Sequence, residues 1–389
     1  MTPPLSLPLD GVVVLDFSQF LAGPSCALRL ADLGARVIKV ERPDGGDGAR
    51  SLSMADQHFD RDTALFHTIN RNKESYAADL KDPADAARVR ALIGRADVLI
   101  HNFRPGIMDR LGLGFDAVTA LNPRIVYAGI SGYGHAGPWR NTPGQDLLVQ
   151  ARTGFAWLSG DAADGPVPTG LAVADMAAGA QLVQAILALL VRRGVTGRGG
   201  RVDVSLMEAA IDLQFEPLTV FLNGSGDAPR RSAVNNANIY LMAPYGIYAT
   251  ADGHVALAMM PVDRLGVLIG CSALAAFPAD RWYADRDTIK QAIADHLVTR
   301  PSRHWLDILE PAGLWAAETL DWPALVAHDA FAAIDPVQPI VAADGATMQV
   351  TRCPIRVDGR ILRSPRPAPR LGADTASIAT EFQLDEEAA

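Results

Sequence analysis

Residues 169–201 read TGLAVADMAAGAQLVQAILALLVRRGVTGRGGR and place a single carboxylate, Asp175, at the mouth of a long apolar helix that closes on a glycine-rich turn. Aspartate is a favoured N-cap, because its side-chain oxygen accepts hydrogen bonds from the first-turn amides and the helix dipole favours negative charge there. The same position suits a nucleophile. A carboxylate at a helix start is expected to stay ionised at neutral pH, and carboxylates form covalent acyl intermediates. Spacing alone leaves both readings open.

The other residues with chemical potential nearby read as structural. Gly197-Arg198-Gly199-Gly200 falls at the C-terminal end of the helix, where it serves as a cap and connector; a phosphate cradle needs its glycines at a helix N-terminus. Ser205-x-x-Glu208 is a capping box that opens the next helix. The 8 histidines show no HExxH or other metal-ligand spacing, so no metal site is expected. His135, in a glycine-flanked loop, reads as a surface residue, although it alone among them is placed to face a site. Cys26, Cys271 and Cys353 lie far apart without a CxxC pair, the pattern of a reduced cytoplasmic protein.

Composition narrows the partners. The chain has 389 residues, 49% of them hydrophobic and 20% charged, which allows a sizeable core and two domains. Its net charge of −9, with no long Lys/Arg run, argues against a nucleic-acid partner, whose phosphates need a basic face. The start, MTPPLSLPLDG, lacks the pattern of a signal peptide. The most apolar run, 182–191, is broken by Gln184 and is shorter than the roughly 20 residues a membrane span needs.

The elements that must position Asp175 follow a βαβ rhythm. Strands are predicted at 12–16 (VVVLD), 36–41 (RVIKVE), 98–101 and 124–130 (RIVYAGI), with helices near 25–33 and over 82–94. This alternation implies an α/β fold with a parallel sheet and helices on both faces. Ligands in such sheets sit beyond the carboxyl ends of the strands, which marks the loops 18–24, 42–47, 102–106 and 131–138. The first βα turn, SQFLAGPS, lacks GxGxxG, which counts against a nicotinamide oxidoreductase even though Glu41 stands where a ribose-binding acid would. After the helix at 176–192 come a strand at 201–204, a helix at 205–222, linker composition at 223–231 and hairpin material at 240–259 turning at Asp252-Gly253. Residues 263–317 read as mostly helical, and from 321 the chain returns to short strands and loops.

Several of these segments together resemble the class III coenzyme A transferase family, the group that includes formyl-CoA transferase and the carnitine CoA-transferases. The matching pieces are LDGVVVLDFSQFLAGPSCALRLADLGARVIKVERPDGGD, HNFRPGIMDRLGL, IVYAGISGYGHAGPW, TPGQDLLVQARTG and the Asp175 helix through TGRGGRVDVSLMEAAI, followed by DGHVALAM, TRCPIRVDG and RPAPRLG. Each is weak alone. Their ordered combination over nearly the whole chain is specific.

The resemblance implies a Rossmann-like large domain built from both chain ends, with a smaller α+β domain inserted, in an interlocked homodimer. Its boundaries are expected at 1–205 for the first part of the large domain, 206–230 for a linker helix and loop, 231–320 for the small domain, and 321–389 for the return. It also implies that Asp175 is the catalytic residue. Its carboxylate would attack a donor thioester, and coenzyme A would then pass through an aspartyl thioester to a free carboxylic acid. Contacts to coenzyme A carry over to Arg42, Asn102 and Arg110. Coenzyme A and acyl-CoA enter as substrates, and no metal or tightly bound cofactor is implied.

Two departures qualify the match. Leu21 stands where formyl-CoA transferase has a substrate-contacting glutamine, and that enzyme's glycine-run lid is absent after Arg231. The related α-methylacyl-CoA racemases place a histidine before the aspartate of the segment matching TPGQDLL; here that place holds Gln145, which takes no proton at neutral pH. Transfer is therefore expected ahead of racemisation, with a catalytically silent CoA-binding homologue as a third reading.

Overall fold

The strand Val13–Asp16 (β1) sits at the centre of a parallel sheet, flanked on one side by Arg36–Glu41 (β2) and then Lys73–Ala77 (β3). On its other side lie Val98–His101 (β4), Val126–Ser131 (β5) and Gly200–Ser205 (β6). The resulting order, β3-β2-β1-β4-β5-β6, is that of a doubly wound dinucleotide-binding sheet, and its direction of winding switches between β1 and β4. The structure is a computed structural model and describes residues 7–364 and 366–387.

Alternate residues of each strand face opposite layers. Val14, Val37, Val98, Ile100, Val126 and Ala128 pack under the helices Ala22–Asp32 (α1) and a later one that carries Asp175. Leu15, Ile38, Leu99 and Tyr127 face the other way, against residues 89–93 and Val118. The further helices of this part of the chain are Ala64–Asn70 (α2), Pro83–Arg95 (α3), Ile107–Arg110 (α4), Phe115–Leu121 (α5) and Asp146–Arg152 (α6). The Asp82 side chain caps α3 by accepting from the amides of Ala84 and Asp85.

Strand β3 escapes the sequence reading because KESYA is polar. Its Lys73 is nonetheless fully buried: Nζ lies 2.9 Å from Asp16 Oδ2, 2.9 Å from the Pro24 carbonyl and 2.8 Å from Asn70 Oδ1. A buried ammonium survives only with such partners. As the edge strand, β3 is also covered: its Ser75 and Ala77 amides donate to Asp374 Oδ2 and Thr375 Oγ1, both at 2.9 Å.

The 24-residue helix Val173–Thr196 (α7) extends well past the apolar run at 182–191. It is long and apolar enough to cross a membrane by length and composition, contrary to the expectation from that run alone. Its buried face, including Ala174, Ala178, Leu182 and Ile186, belongs to the core over the sheet. Gly197 closes it with φ +73°, its amide donating to the Arg193 carbonyl, which is the glycine C-cap expected. A Cβ on Gly199 would lie 1.9 Å from the Ile125 carbonyl oxygen, so that position has to be glycine for β6 to join the sheet. The helix predicted over 205–222 is two, Leu206–Asp212 (α8) and Phe215–Leu222 (α9). Pro217 has no amide to donate to the Leu213 carbonyl, and its ring crowds it.

The chain divides into two compact units. The first takes the chain up to Val149, Ala172–Ala210 and the chain from Asp335; the second takes Gln150–Leu171 and Ile211–Ile334. Residues 150–171 and 321–334, read from sequence as parts of the large domain, thus cluster with the second unit. That unit contains Gly246–Ala249 (β7) and His254–Leu257 (β8) as the expected antiparallel hairpin, joined by Ala316–Glu318 (β9). Its core closes with Val262–Ile269 (α10), Arg286–Leu297 (α11) and Ser302–Leu309 (α12). Where short strands and loops are predicted, 322–334 forms Trp322–Ala327 (α13) and Asp329–Ile334 (α14). In the first unit, the returning chain forms the hairpin Val337–Val341 (β10) and Thr347–Thr351 (β11), then Thr375–Glu381 (α15), whose Ile378 is buried against the sheet.

Candidate active site

Asp175 is not the cap of its helix. The N-cap position is Ala172, and Asp175 is the third residue of α7. The capping carboxylate is Asp146, at the start of α6, whose Oδ1 accepts from Ala174 N at 2.7 Å and Asp175 N at 3.2 Å. Two carboxylates are therefore gathered at one helix start, and it is Asp146 that accepts from the backbone amides. Asp175 is half-buried. Burial, and then the like charge of Asp146, pushes its carboxyl up to about 7. This corrects the expectation of a fully ionised group: the helix terminus does stabilise an anion, but Asp146 occupies it.

The position of Asp175 is set by a close helix crossing. Gly179 lies one turn further along α7 on the same face, and a Cβ there would stand 2.4 Å from Ser25 Oγ and 2.7 Å from the Ala22 carbonyl oxygen. Only glycine lets α7 approach the first turn of α1 this closely. That turn follows the loop leaving β1, so the crossing carries Asp175 towards the carboxyl end of the central strand.

The loops at the switch point are held by a buried ionic network. Lys39 Nζ lies 2.7 Å from the Ser18 carbonyl and 2.8 Å from Asp47 Oδ2, while Asp16 takes Lys73 and the Ser18 hydroxyl. Burial alone would raise the Asp16 carboxyl, but Lys39, Lys73 and Ser18 outweigh it and hold it down to about 2. Burial brings the Lys73 ammonium down to about 8 against the pull of Asp16. Arg50 makes two bonds of 2.8 Å to Glu41 and one of 2.7 Å to Asp62. Glu41, the candidate ribose acid, is thus consumed by Arg50 and by the Ser75 hydroxyl. Above this floor Phe20 adopts φ +62°, a rare conformation for a bulky residue, with its amide held by Asp47 Oδ1 at 3.0 Å. Leu21 turns inward onto the cluster of Ala49, Phe66 and Ile69.

The three remaining residues expected at the site stand in different settings. Arg42 lines a cavity of about 250 Å³ with Phe17, Lys39, Lys81 and Phe103, beyond the ends of β1 and β2. Asn102 bridges the two switch-point loops: its Oδ1 accepts from Gln19 N at 2.9 Å and its Nδ2 donates to the Gln19 carbonyl at 2.6 Å. Arg110 is exposed at the end of the short helix α4 and does not line that cavity. Gln145 is exposed before Asp146. His135 is engaged elsewhere, with Nε2 3.0 Å from Asp203 Oδ1 and 3.3 Å from Arg201. Asp146 and Phe20 were not singled out from sequence; an aspartate before an apolar run, and an ordinary phenylalanine in a turn, carry no signal of their own. Among the described residues no cluster could hold a metal ion.

The protein is thus of the doubly wound α/β class, with two carboxylates gathered at one helix start. The profile of CoA-transferase family III matches residues 9–375, and the chain belongs to that family of CoA-transferring enzymes. It is 33% identical to acetyl-CoA:oxalate CoA-transferase from Acetobacter aceti, with 97% of each chain covered. It is 32% identical to succinate–glutarate CoA-transferase from Agrobacterium fabrum, covering 98% of this chain and 97% of that one. Among solved structures, a CaiB/BaiF family protein from Brucella suis superposes with a TM-score of 0.82 at 29% identity, over 97% of this chain and 100% of the other.

Proposed function

We propose that the protein moves coenzyme A from an acyl-CoA donor to a free carboxylic acid through a covalent intermediate on Asp175. The observation that carries this reading is the Asp175 carboxyl in the first turn of α7, half-buried and beside a second carboxylate that has already taken the helix amides. A carboxylate is a poor nucleophile towards a thioester while fully hydrated; partial desolvation raises its basicity and its reactivity together.

The steps balance without an added acid, base or metal. An Asp175 oxygen attacks the thioester carbonyl carbon, the carbon–sulfur bond breaks, and CoA thiolate leaves a mixed anhydride. The thiolate attacks the aspartyl carbonyl carbon, releasing the donor's acid as a carboxylate and forming an aspartyl thioester. The acceptor carboxylate then attacks that thioester and expels thiolate, which takes the acceptor's acyl carbon and returns Asp175. Thiolate must stay bound between steps, which is the task assigned to the coenzyme A contacts.

Arg42 is proposed to meet a phosphate of coenzyme A, a role supported by its place at the 250 Å³ cavity beside Lys39 and Lys81. Asn102 acts by tying the two switch-point loops, and Arg110 supplies charge beyond them. The first unit is proposed as the coenzyme-binding large domain and the second as the small domain. An interlocked homodimer is supported by apolar surface no single chain covers: α9 has no buried residue although it exposes Phe215, Val220 and Leu222, and Val195 on α7 is 88% exposed.

The test is to incubate the enzyme with a panel of acyl-CoAs, trap with hydroxylamine and map the product by mass spectrometry. A hydroxamate on Asp175 is expected, and transfer should fall at least about 1,000-fold in Asp175→Ala. Full transfer by that variant would sink the proposal.

A further inference from the structure

We propose that a separate cavity, at the carboxyl ends of β4, β5 and β6, binds an oxyanion of the phosphate type. The cavity measures about 150 Å³ and lies among His101, Ser131, Asp203 and the loops that follow β4 and β5. Those loops contribute Arg104, His135 and Arg140, and β6 contributes Arg201. Asp175 does not line it, and neither does Arg42.

Its electrostatics select an anion. Arg104 and Arg140 both line the cavity and make no ion pair with a carboxylate among the described residues. Arg201 is pinned by Asp203, with Nε 2.6 Å from Oδ2 and one amino nitrogen 3.1 Å from Oδ1. The same Asp203 holds His135, whose Nε2 is 3.0 Å from Oδ1. Asp109 also lines the cavity, so three guanidinium groups stand against two carboxylates and the balance remains positive.

One polar group has no partner of its own. His101 is buried at the end of β4, and its Nδ1 has no hydrogen-bond partner among the described residues. Burial lowers its basicity to about 4, so it is neutral and offers one donor and one acceptor. A buried polar atom without a partner is uncommon.

Size and valence favour phosphate over other anions. A cavity of about 150 Å³ has room for a tetrahedral oxyanion and several waters. Three guanidinium groups from separate elements supply more donors than the two oxygens of a carboxylate can accept, whereas a phosphate's oxygens match them. The ligand is either free phosphate or a phosphate carried by a larger molecule such as coenzyme A.

Calorimetric titration of the full chain with inorganic phosphate tests this. One saturable site per chain is expected, with affinity at least about tenfold weaker in the double variant Arg104→Gln, Arg140→Gln. Because neither side chain makes an ion pair among the described residues, that variant should melt with the wild type when phosphate is absent. Asp175→Ala should bind phosphate unchanged. Displacement of phosphate by coenzyme A but not by pantetheine would assign the site to a nucleotide phosphate, and retention in the presence of both would assign it to a free anion. No saturable binding by the wild type, or equal affinity in the double variant, would overturn the proposal.

Discussion

The raised carboxyl of Asp175 comes first from burial and then from a neighbour that performs a structural task. Asp146 satisfies the first amides of α7 and in doing so fixes a negative charge beside Asp175. Burial, with this charge added to it, pushes the Asp175 carboxyl from 3.8 to about 7. In the proposed mechanism the attacking form is the carboxylate, so kcat/KM should rise with pH through about 7 and level off above it. Asp146→Asn keeps an oxygen for the amides but removes the charge, so the midpoint of that profile should move down by about one unit. An unmoved midpoint would show that Asp146 acts only as a cap. Stability follows the opposite course: between 3.8 and about 7 the folded carboxyl holds a proton that the unfolded chain has released, so this group's contribution falls as pH rises.

Helix α7 holds Asp175, the proposed nucleophile, by packing as well as by sequence. Two of its glycines stand in opposite environments. At Gly179 an added Cβ would meet Ser25 Oγ and the Ala22 carbonyl oxygen, while at Gly194 nothing lies within 4 Å. Gly194→Ala should therefore stabilise the protein by about 0.5–1 kcal/mol through helix propensity. Gly179→Ala should destabilise it by about 1–3 kcal/mol and lower the rate of Asp175 acylation, because backbone must shift at the crossing. Thermal melts with hydroxylamine trapping measure both effects. If the two variants melt alike, the crossing does not position Asp175.

At the scale of the whole molecule, the exposed apolar surfaces are those that the proposed dimer would cover. Phe215 and Leu222 are 69% and 70% exposed on a helix that buries nothing within its own chain. Sedimentation should find two chains per particle, and Phe215→Glu with Leu222→Glu should shift the mass towards one chain, with loss of transfer. A single-chain mass for the wild type across all concentrations would exclude the interlocked dimer.

The amino-acid sequence by itself determined the apolar strands and their βα order, the glycine close of α7, the capping box at Ser205 and Glu208, and the place of Asp175 at the start of a long helix. These depend on local patterning, in which each residue's neighbours along the chain fix its conformation. Strand β3 needed the fold, because its Lys73 becomes a core residue only once Asp16 and Asn70 surround it. The pairing of Asp146 with Asp175, 29 residues apart, likewise exists only after α6 and α7 meet. Sequence thus supplied the carboxylate, while tertiary contact decided that another carboxylate caps the helix and that Asp175 is held near neutrality. A pKa records the dielectric and the charges around a group, and those are properties of the folded chain.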